Sequence, residues 1–173
     1  MSINYRRIAI LAIIPLLFLS GLSAKPVSSV VRNVSGTVEY AEPGSNDFRT
    51  LRRGMRLEKG CTIRTGPNST AILRVTPGAA MRVSPDTTVV LDEMFYNEEN
   101  GEVKTRRAQV NLKEGTVSSL LKKKEASQTD FRIKTPQGAA AARGTFYGVT
   151  VQDGQTFISV KEGKVGLKLD KDQ

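Results

Sequence analysis

The chain of 173 residues has no histidine, no tryptophan and a single cysteine. The lack of histidine excludes Ser-His-Asp and Cys-His catalysis, imidazole metal ligation and the usual proton shuttle at neutral pH. One cysteine forms no internal disulfide, and zinc sites built from Cys and His clusters are ruled out. Aromatic residues make up only 6%, which speaks against the stacking platforms of single-stranded nucleic-acid binding. No apolar run reaches the ~20 residues that span a bilayer as a helix. With 39% hydrophobic residues, the chain is too apolar for disorder and too polar for a multi-span membrane protein. The length fits one domain of ordinary size, or two very small ones.

The longest apolar run, residues 8–19, follows Arg6-Arg7 and precedes Ser20-Gly21-Leu22-Ser23-Ala24. A positive start, an apolar core and small residues behind it form the layout of a secretory signal peptide. Residues 1–24 are therefore expected to be a signal peptide, cleaved after Ser23 or Ala24. No cysteine follows the run, so a lipid-modified N-terminus is not expected. The mature chain is expected to be periplasmic or secreted, without a membrane span.

Of the 26 basic residues, the signal segment holds Arg6 and Arg7, which leaves 24 against 17 acidic ones, net +7. Basic residues gather at Arg49, Arg52, Arg53 and Arg56, at Lys104, Arg106 and Arg107, and at Lys122-Lys123-Lys124. Outside a cell such a surface suits acidic glycans, lipid head groups or wall polymers. The plainer reading, which takes precedence, is a solvated, aggregation-resistant face. Cys61, between Gly60 and Thr62, reads as a small semi-buried residue.

Beyond residue 24 the hydrophobic period is two. Bursts of alternation recur at residues 34–40, 61–64, 71–75, 80–83, 88–91, 108–112, 116–121, 131–135, 145–151, 156–160 and 164–169. Phe131-Arg132-Ile133-Lys134 has the pattern of a half-buried strand, apolar inward and charged outward. Turn formers separate the bursts: Pro43-Gly44, Gly66-Pro67-Asn68, Pro77-Gly78, Pro85-Asp86, Asn100-Gly101, Glu114-Gly115, Asp153-Gly154 and Glu162-Gly163. No amphipathic helix of 12 residues is apparent. The four alanines within residues 138–143 favour a short helical turn. Residues 98–107, polar nearly throughout, suit either a long hairpin tip or a break between two lobes. Gly36-Thr37-Val38, Gly115-Thr116-Val117 and Gly163-Lys164-Val165 share a Gly-x-Val step into a strand, and Thr76-Pro77-Gly78 echoes Thr135-Pro136-Gln137. Short repeated units bury their apolar faces only by stacking. The expected fold is all-β, a β-helix-like roll or elongated sandwich of short strands.

These spacings resemble the FecR domain over residues 54–167. The match runs through Gly54-x-x-Leu57, Gly60, Ile63-x-Thr65-Gly66, Ala71-x-Leu73-x-Val75, Met81-x-Val83-x-Pro85 and Val110-x-Leu112-x-x-Gly115-x-Val117. The specific parts are Phe131-x-Ile133-x-Thr135-Pro136, Arg143-Gly144-Thr145-x-Tyr147-x-Val149 and Val160-x-Glu162-Gly163-x-Val165. The resemblance implies an envelope protein of the kind that includes periplasmic sensors passing an outer-membrane receptor's signal to a sigma factor. Such sensors carry a cytoplasmic segment and a membrane span before the domain, which this sequence does not show, so the sigma-regulating role is not expected here. The expected organisation is a signal peptide over 1–24, an N-terminal strand segment over 25–53, the FecR-like β domain over 54–169 and a tail over 170–173.

Candidate chemistry is sparse. Ser119-Leu120-Leu121-Lys122 fits S-x-x-K, but the motif belongs at the start of a buried helix and here it closes a strand pattern. Asp92-Glu93 and Glu98-Glu99 offer carboxylate pairs, yet adjacent strand residues point to opposite faces. The acidic stretch Asn97, Glu98, Glu99, Asn100 and Glu102 lacks a calcium-loop spacing. No catalytic, cofactor or metal residue is assigned, and a non-enzymatic role is expected. Arg52, Arg53, Arg56, Arg143, Lys122, Lys123 and Lys124 are the candidate contacts for an anion or partner. The expected partner is an envelope protein, reached through a strand edge or the basic face. The alternative is an acidic envelope glycan or polymer bound by the basic face, and nucleic acid is not expected.

Overall fold

A computed structural model describes residues 25–121, 129–142, 146–162 and 164–169. The expected signal peptide and tail, Lys122 to Lys124 and Arg143 lie outside the described residues. Those residues are all-β and contain no helix. In chain order the strands are β1 (Lys25–Pro26), β2 (Ser29–Ser35), β3 (Val38–Ala41), β4 (Arg49–Thr50) and β5 (Arg56–Leu57). Next come β6 (Thr62–Thr65), β7 (Thr70–Thr76), β8 (Ala79–Val83), β9 (Thr87–Glu99) and β10 (Glu102–Leu121). The last are β11 (Thr129–Thr135), β12 (Gly138–Ala142), β13 (Phe146–Gln152), β14 (Gln155–Glu162) and β15 (Val165–Leu169).

All fifteen belong to one sheet that curls into a half-barrel. The long strand β10 joins its two walls. Residues 102–114 of β10 pair with β9 and β11 in the front wall, ordered β4-β3-β6-β9-β10-β11-β12-β15 with β1 beside β9. Residues 115–121 pair with β8 and β13 in the back wall, ordered β5-β2-β7-β8-β10-β13-β14. Only β10 and β11 run parallel among the paired strands described.

The sheet turns over along a crease that four stretches of chain cross side by side. Gly36 separates β2 of the back wall from β3 of the front, and Pro67-Asn68 separates β6 from β7. Pro85-Asp86 lies between β8 and β9, and Gly115 lies within β10 where it changes partners. Two equivalent corners result. At the first, the Ser69 hydroxyl donates to the Pro67 carbonyl (3.0 Å) and accepts from the Thr37 N–H (2.9 Å), while Gly66 N–H donates to Thr37 O (3.0 Å). At the second, Thr87 donates to Pro85 O (3.0 Å) and accepts from Thr116 N–H (2.9 Å), while Ser84 N–H donates to Thr116 O (3.0 Å). Asn68 and Asp86 both take positive φ, 54° and 50°, a conformation that Asn and Asp tolerate better than other residues with a side chain. Thr65 ties the corners together, donating to Ser84 O (2.6 Å) and accepting from Thr87 N–H (3.0 Å).

One apolar core fills the curl. Phe131, Ile133, Tyr147, Leu57, Leu73 and Leu112 are among its fully buried side chains. The expected alternation of β11 is observed: Phe131 and Ile133 point in, and Arg132 and Lys134 point out. Phe131 meets Tyr147 edge to face, with ring centroids 6.4 Å apart, and the Tyr147 hydroxyl donates to the Phe131 carbonyl across the walls (2.9 Å). Full burial of one such aromatic contributes roughly 2–3 kcal/mol.

Two local expectations need correction, and a third resolves to the first of its two readings, the hairpin tip. The alanines do not form a helical turn: Gly138–Ala142 is β12, paired on one side with β11 and on the other with β15. Two flanking ladders outweigh an alanine's preference of well under 1 kcal/mol per residue. Glu114-Gly115 is not a reversal but the crossing point inside β10. Residues 98–107 do not break the chain into lobes; they are the end of the β9–β10 hairpin, closed by Asn100-Gly101 with φ of 52° and 78°, a type I′ turn.

Candidate functional site

Strand register decides which charges share a surface. On the outer side of the back wall, Arg56 stands opposite Val30, Val30 opposite Arg74, Arg74 opposite Ala80, and Ala80 opposite Leu120. The next row places Asn33 opposite Ile72, Ile72 opposite Arg82, and Arg82 opposite Ser118. Arg82 is thus the diagonal neighbour of Arg74, at about 7–8 Å. Arg32 occupies the irregularity of β2 between Val31 and Asn33. Arg32, Arg56, Arg74 and Arg82 are exposed, and none forms an ion pair among the described residues. No outward position of these rows is acidic.

The outer side of the front wall is different. Arg64 pairs with Glu39 (2.8 Å), Arg132 and Arg107 with Asp130 (2.7 and 3.4 Å), and Lys134 with Asp92 (3.6 Å). Two cations also stack on rings, Arg64 over Phe48 and Arg107 over Phe95. Arg64, Arg107, Arg132 and Lys134 thus each stand within 4 Å of a carboxylate of the same wall.

The candidate residues of the sequence reading are only partly gathered. Arg52 and Arg53 lie exposed in the turn before β5, and Arg56 belongs to the back-wall face. Sequence reasoning missed Arg32, Arg74 and Arg82. The signal for two of them was present, because Leu73, Val75, Met81 and Val83 point in and the same alternation sends Arg74 and Arg82 out.

A second feature lies where the curl stays open. The starting edges of the two walls, β4 and β5, are two residues each and carry Arg49 and Arg56, which blunts them against further pairing. The far edges are longer: among the described residues β14 pairs with β13 alone, and β15 with β12 alone. Phe157 (54%), Val160 (45%), Leu167 (62%) and Leu169 (70%) are exposed there. Val160 stands opposite buried Tyr147, and Leu167 opposite buried Ala140, so both continue the inner face of the sheet beyond its cover. A cavity of about 150 Å³, lined in part by Thr135, Ile158, Leu167 and Leu169, separates the two edges. Thr156 reaches across to the Thr135 hydroxyl (3.0 Å), and the Gln137 amide donates to the Gly154 carbonyl.

The chemical candidates come to rest in structural places. Ser119 is buried within β10 between Met81 and Tyr147, so residues 119–121 of its motif lie on a strand; Lys122 is outside the described residues. Asp92 and Glu93 do not point to opposite faces as expected: an irregularity in β9 puts both between inward Leu91 and Met94. Asp92 accepts from Gln109 (2.6 Å) and faces Lys134. Near the hairpin end, Glu102 pairs with Lys104 (2.9 Å), which holds its carboxyl below the usual range. Burial pushes the Cys61 thiol up. Among the described residues, no group of three His, Cys, Asp or Glu is placed to hold a metal ion.

The match to known families falls on this same framework. The model of the family described as FecR protein matches residues 61–166, more than half of the sequence. The chain belongs to the FecR family. The matched FecR stretch begins just before β6, although β2 and β3, which lie ahead of it, pair with β7 and β6 inside the same sheet. Among curated proteins none matches. Among solved structures, a protein described as a candidate anti-sigma factor from Parabacteroides distasonis ATCC 8503 is similar, at 16% identity and a TM-score of 0.46. The alignment covers 64% of this chain and 48% of that one, so this chain spans about half the length of its structural relative.

Proposed function

We propose that this FecR-family chain is an exported, non-enzymatic binding module of the bacterial envelope that takes a protein partner at the open edges β14 and β15. The observation that carries the reading is the contrast between edges. The starting edges are short and charged, whereas among the described residues the far edges leave eight and five residues unpaired on one side beside exposed Leu167 and Leu169. An extended segment of a partner gains main-chain hydrogen bonds along such an edge and places alternate side chains on the uncovered apolar row. Export is supported by the signal-like layout of residues 1–24. A non-enzymatic role is supported by the absence of histidine and by the structural employment of Ser119 and Asp92.

Site-specific photo-crosslinking in cells tests the proposal. A photoreactive residue at position 159 or 167 should capture one discrete envelope protein, and the same residue at position 64 on the front wall should not. Leu167→Lys with Leu169→Lys should abolish capture while leaving the thermal midpoint nearly unchanged, since both side chains are exposed. Equal capture at position 64, or capture that survives the double substitution, would overturn the edge as the binding site.

A further inference from the structure

The back-wall arginine face is a site separate from the open edges. Four guanidinium groups, one on each of four strands, share a surface with no acid among its outward positions, while on the front wall Arg64, Arg107, Arg132 and Lys134 lie beside Glu39, Asp92 and Asp130. Clustered like charge costs free energy through mutual repulsion, which an anionic ligand relieves. Arg32, Arg74 and Arg106 also line a groove of about 540 Å³ beside the turn of residues 77–80 and Leu120. Each guanidinium offers a planar fork that matches carboxylate or phosphate oxygens in pairs. The spacing between neighbouring arginines, one or two strands at ~4.8 Å each, suits charges repeated along an extended chain better than a single compact anion.

We infer that this face binds a linear acidic glycan-type polymer whose carboxylate or phosphate groups are gripped by Arg32, Arg56, Arg74 and Arg82. Two other polyanions fit the surface less well. A membrane surface takes inserted apolar side chains, and among the described residues the exposed large hydrophobic ones lie within 146–169, none on these rows. Single-stranded nucleic acid needs aromatic platforms, and the two rows contain no aromatic residue. Between the arginines the face is aliphatic, with Val30, Ile72, Ala80 and Leu120, which leaves a sugar chain room to lie across the strands.

The test is equilibrium binding of the full mature chain to four probes at equal charge concentration. These are polygalacturonate, inorganic polyphosphate, duplex DNA, and vesicles of equal parts phosphatidylglycerol and phosphatidylcholine. The expected result is binding to polygalacturonate, polyphosphate or both that weakens steadily as salt rises; which of the two binds tighter tells carboxylate from phosphate recognition. Arg32→Gln/Arg74→Gln/Arg82→Gln should weaken that binding by about tenfold or more. Arg64→Gln/Arg132→Gln on the front wall should weaken it by less than about twofold. Arg82→Gln alone should act in the same direction as the triple substitution and serves if the triple variant does not fold. Leu167→Lys/Leu169→Lys should leave polymer binding intact, so failure at the edge and failure at this face are read separately. The inference is overturned by tighter binding to DNA or to vesicles than to either polymer. Insensitivity to salt, or equal losses in the back-wall and front-wall variants, overturns it as well.

Discussion

At the first corner of the crease the chain interrupts its strand at Gly36, whereas at the second β10 runs through Gly115 without a break, yet both corners close with the same three hydrogen bonds. The difference lies in what surrounds each glycine. A Cβ at Gly115 would stand 2.5 Å from the Asp86 carbonyl oxygen and 2.6 Å from the Thr87 Cα, both backbone atoms of the neighbouring crossing. At Gly36 the closest groups belong to the Ser69 side chain, with its Cα at 3.0 Å, and the residue is exposed. A repeated hydrogen-bond motif therefore does not make the two corners equally tight. The strand that continues through the crease needs the closer approach.

The largest effect that separates the corners is expected from Gly115→Ala. Its φ of +86° already disfavours a side chain, and two of the three crowding atoms are backbone that cannot rotate away, so the loss is on the order of 4 kcal/mol. Thermal unfolding followed by circular dichroism should show little or no cooperative transition. Gly36→Ala should cost about 2 kcal/mol, read as a shifted urea midpoint with an unchanged slope. Equal losses at the two positions would show that the second corner is not the tighter one.

Next in size are the hydroxyls. Thr87→Ala leaves the Thr116 N–H without its acceptor and removes a buried methyl, for about 2–3 kcal/mol; Ser69→Ala leaves only the Thr37 N–H, for about 1–2 kcal/mol. Thr87→Ser, which gives the second corner the same hydroxyl residue as the first, should cost about 1 kcal/mol. A loss for Ser69→Ala exceeding that for Thr87→Ala would reverse the order of the corners.

The smallest effect at neutral pH lies away from the crease, where Tyr147 fastens the walls. Tyr147→Phe loses one buried hydrogen bond, about 1 kcal/mol. Burial, with a smaller contribution from Asp130, holds the Tyr147 phenol well above its ordinary range. The unfolded chain ionises this group above pH ~10 while the folded chain keeps it neutral, so the contribution is complete below that pH and declines as pH rises. Stability of the native chain should fall in alkali, and Tyr147→Phe should fall less steeply. An identical alkaline slope in the two proteins would remove Tyr147 as a pH-dependent fastener.

Much of the fold was legible in the residue order. The alternation of Phe131, Arg132, Ile133 and Lys134 gave burial as well as strand, and the shared Gly-Thr-Val of residues 36–38 and 115–117 marked two equivalent places. Their role was not legible, because a glycine that reverses a chain and one that carries it across a crease both need positive φ. The four alanines misled for a related reason: propensity is a local quantity, and the ladders on both sides of β12 are not. Of the candidate site, clustering along the chain pointed to Arg52, Arg53 and Arg56. Arg32, Arg74 and Arg82 are far apart in sequence and become neighbours only through the pairing of β2, β7 and β8. An extra residue at Asp92 likewise escapes any rule of strict alternation.

Taken alone, the order of amino acids determined that this chain is made of short half-buried strands, that it has no histidine chemistry, and that it belongs with FecR proteins. Each of these depends on composition or on side chains a few positions apart. Tertiary structure alone decided that one wall sets four of its cations beside carboxylates while the other presents bare arginines, and that β14 and β15 each leave one side unpaired among the described residues. Those outcomes depend on which distant strands pair, and pairing is selected by the burial of one shared core rather than by any segment's own preference.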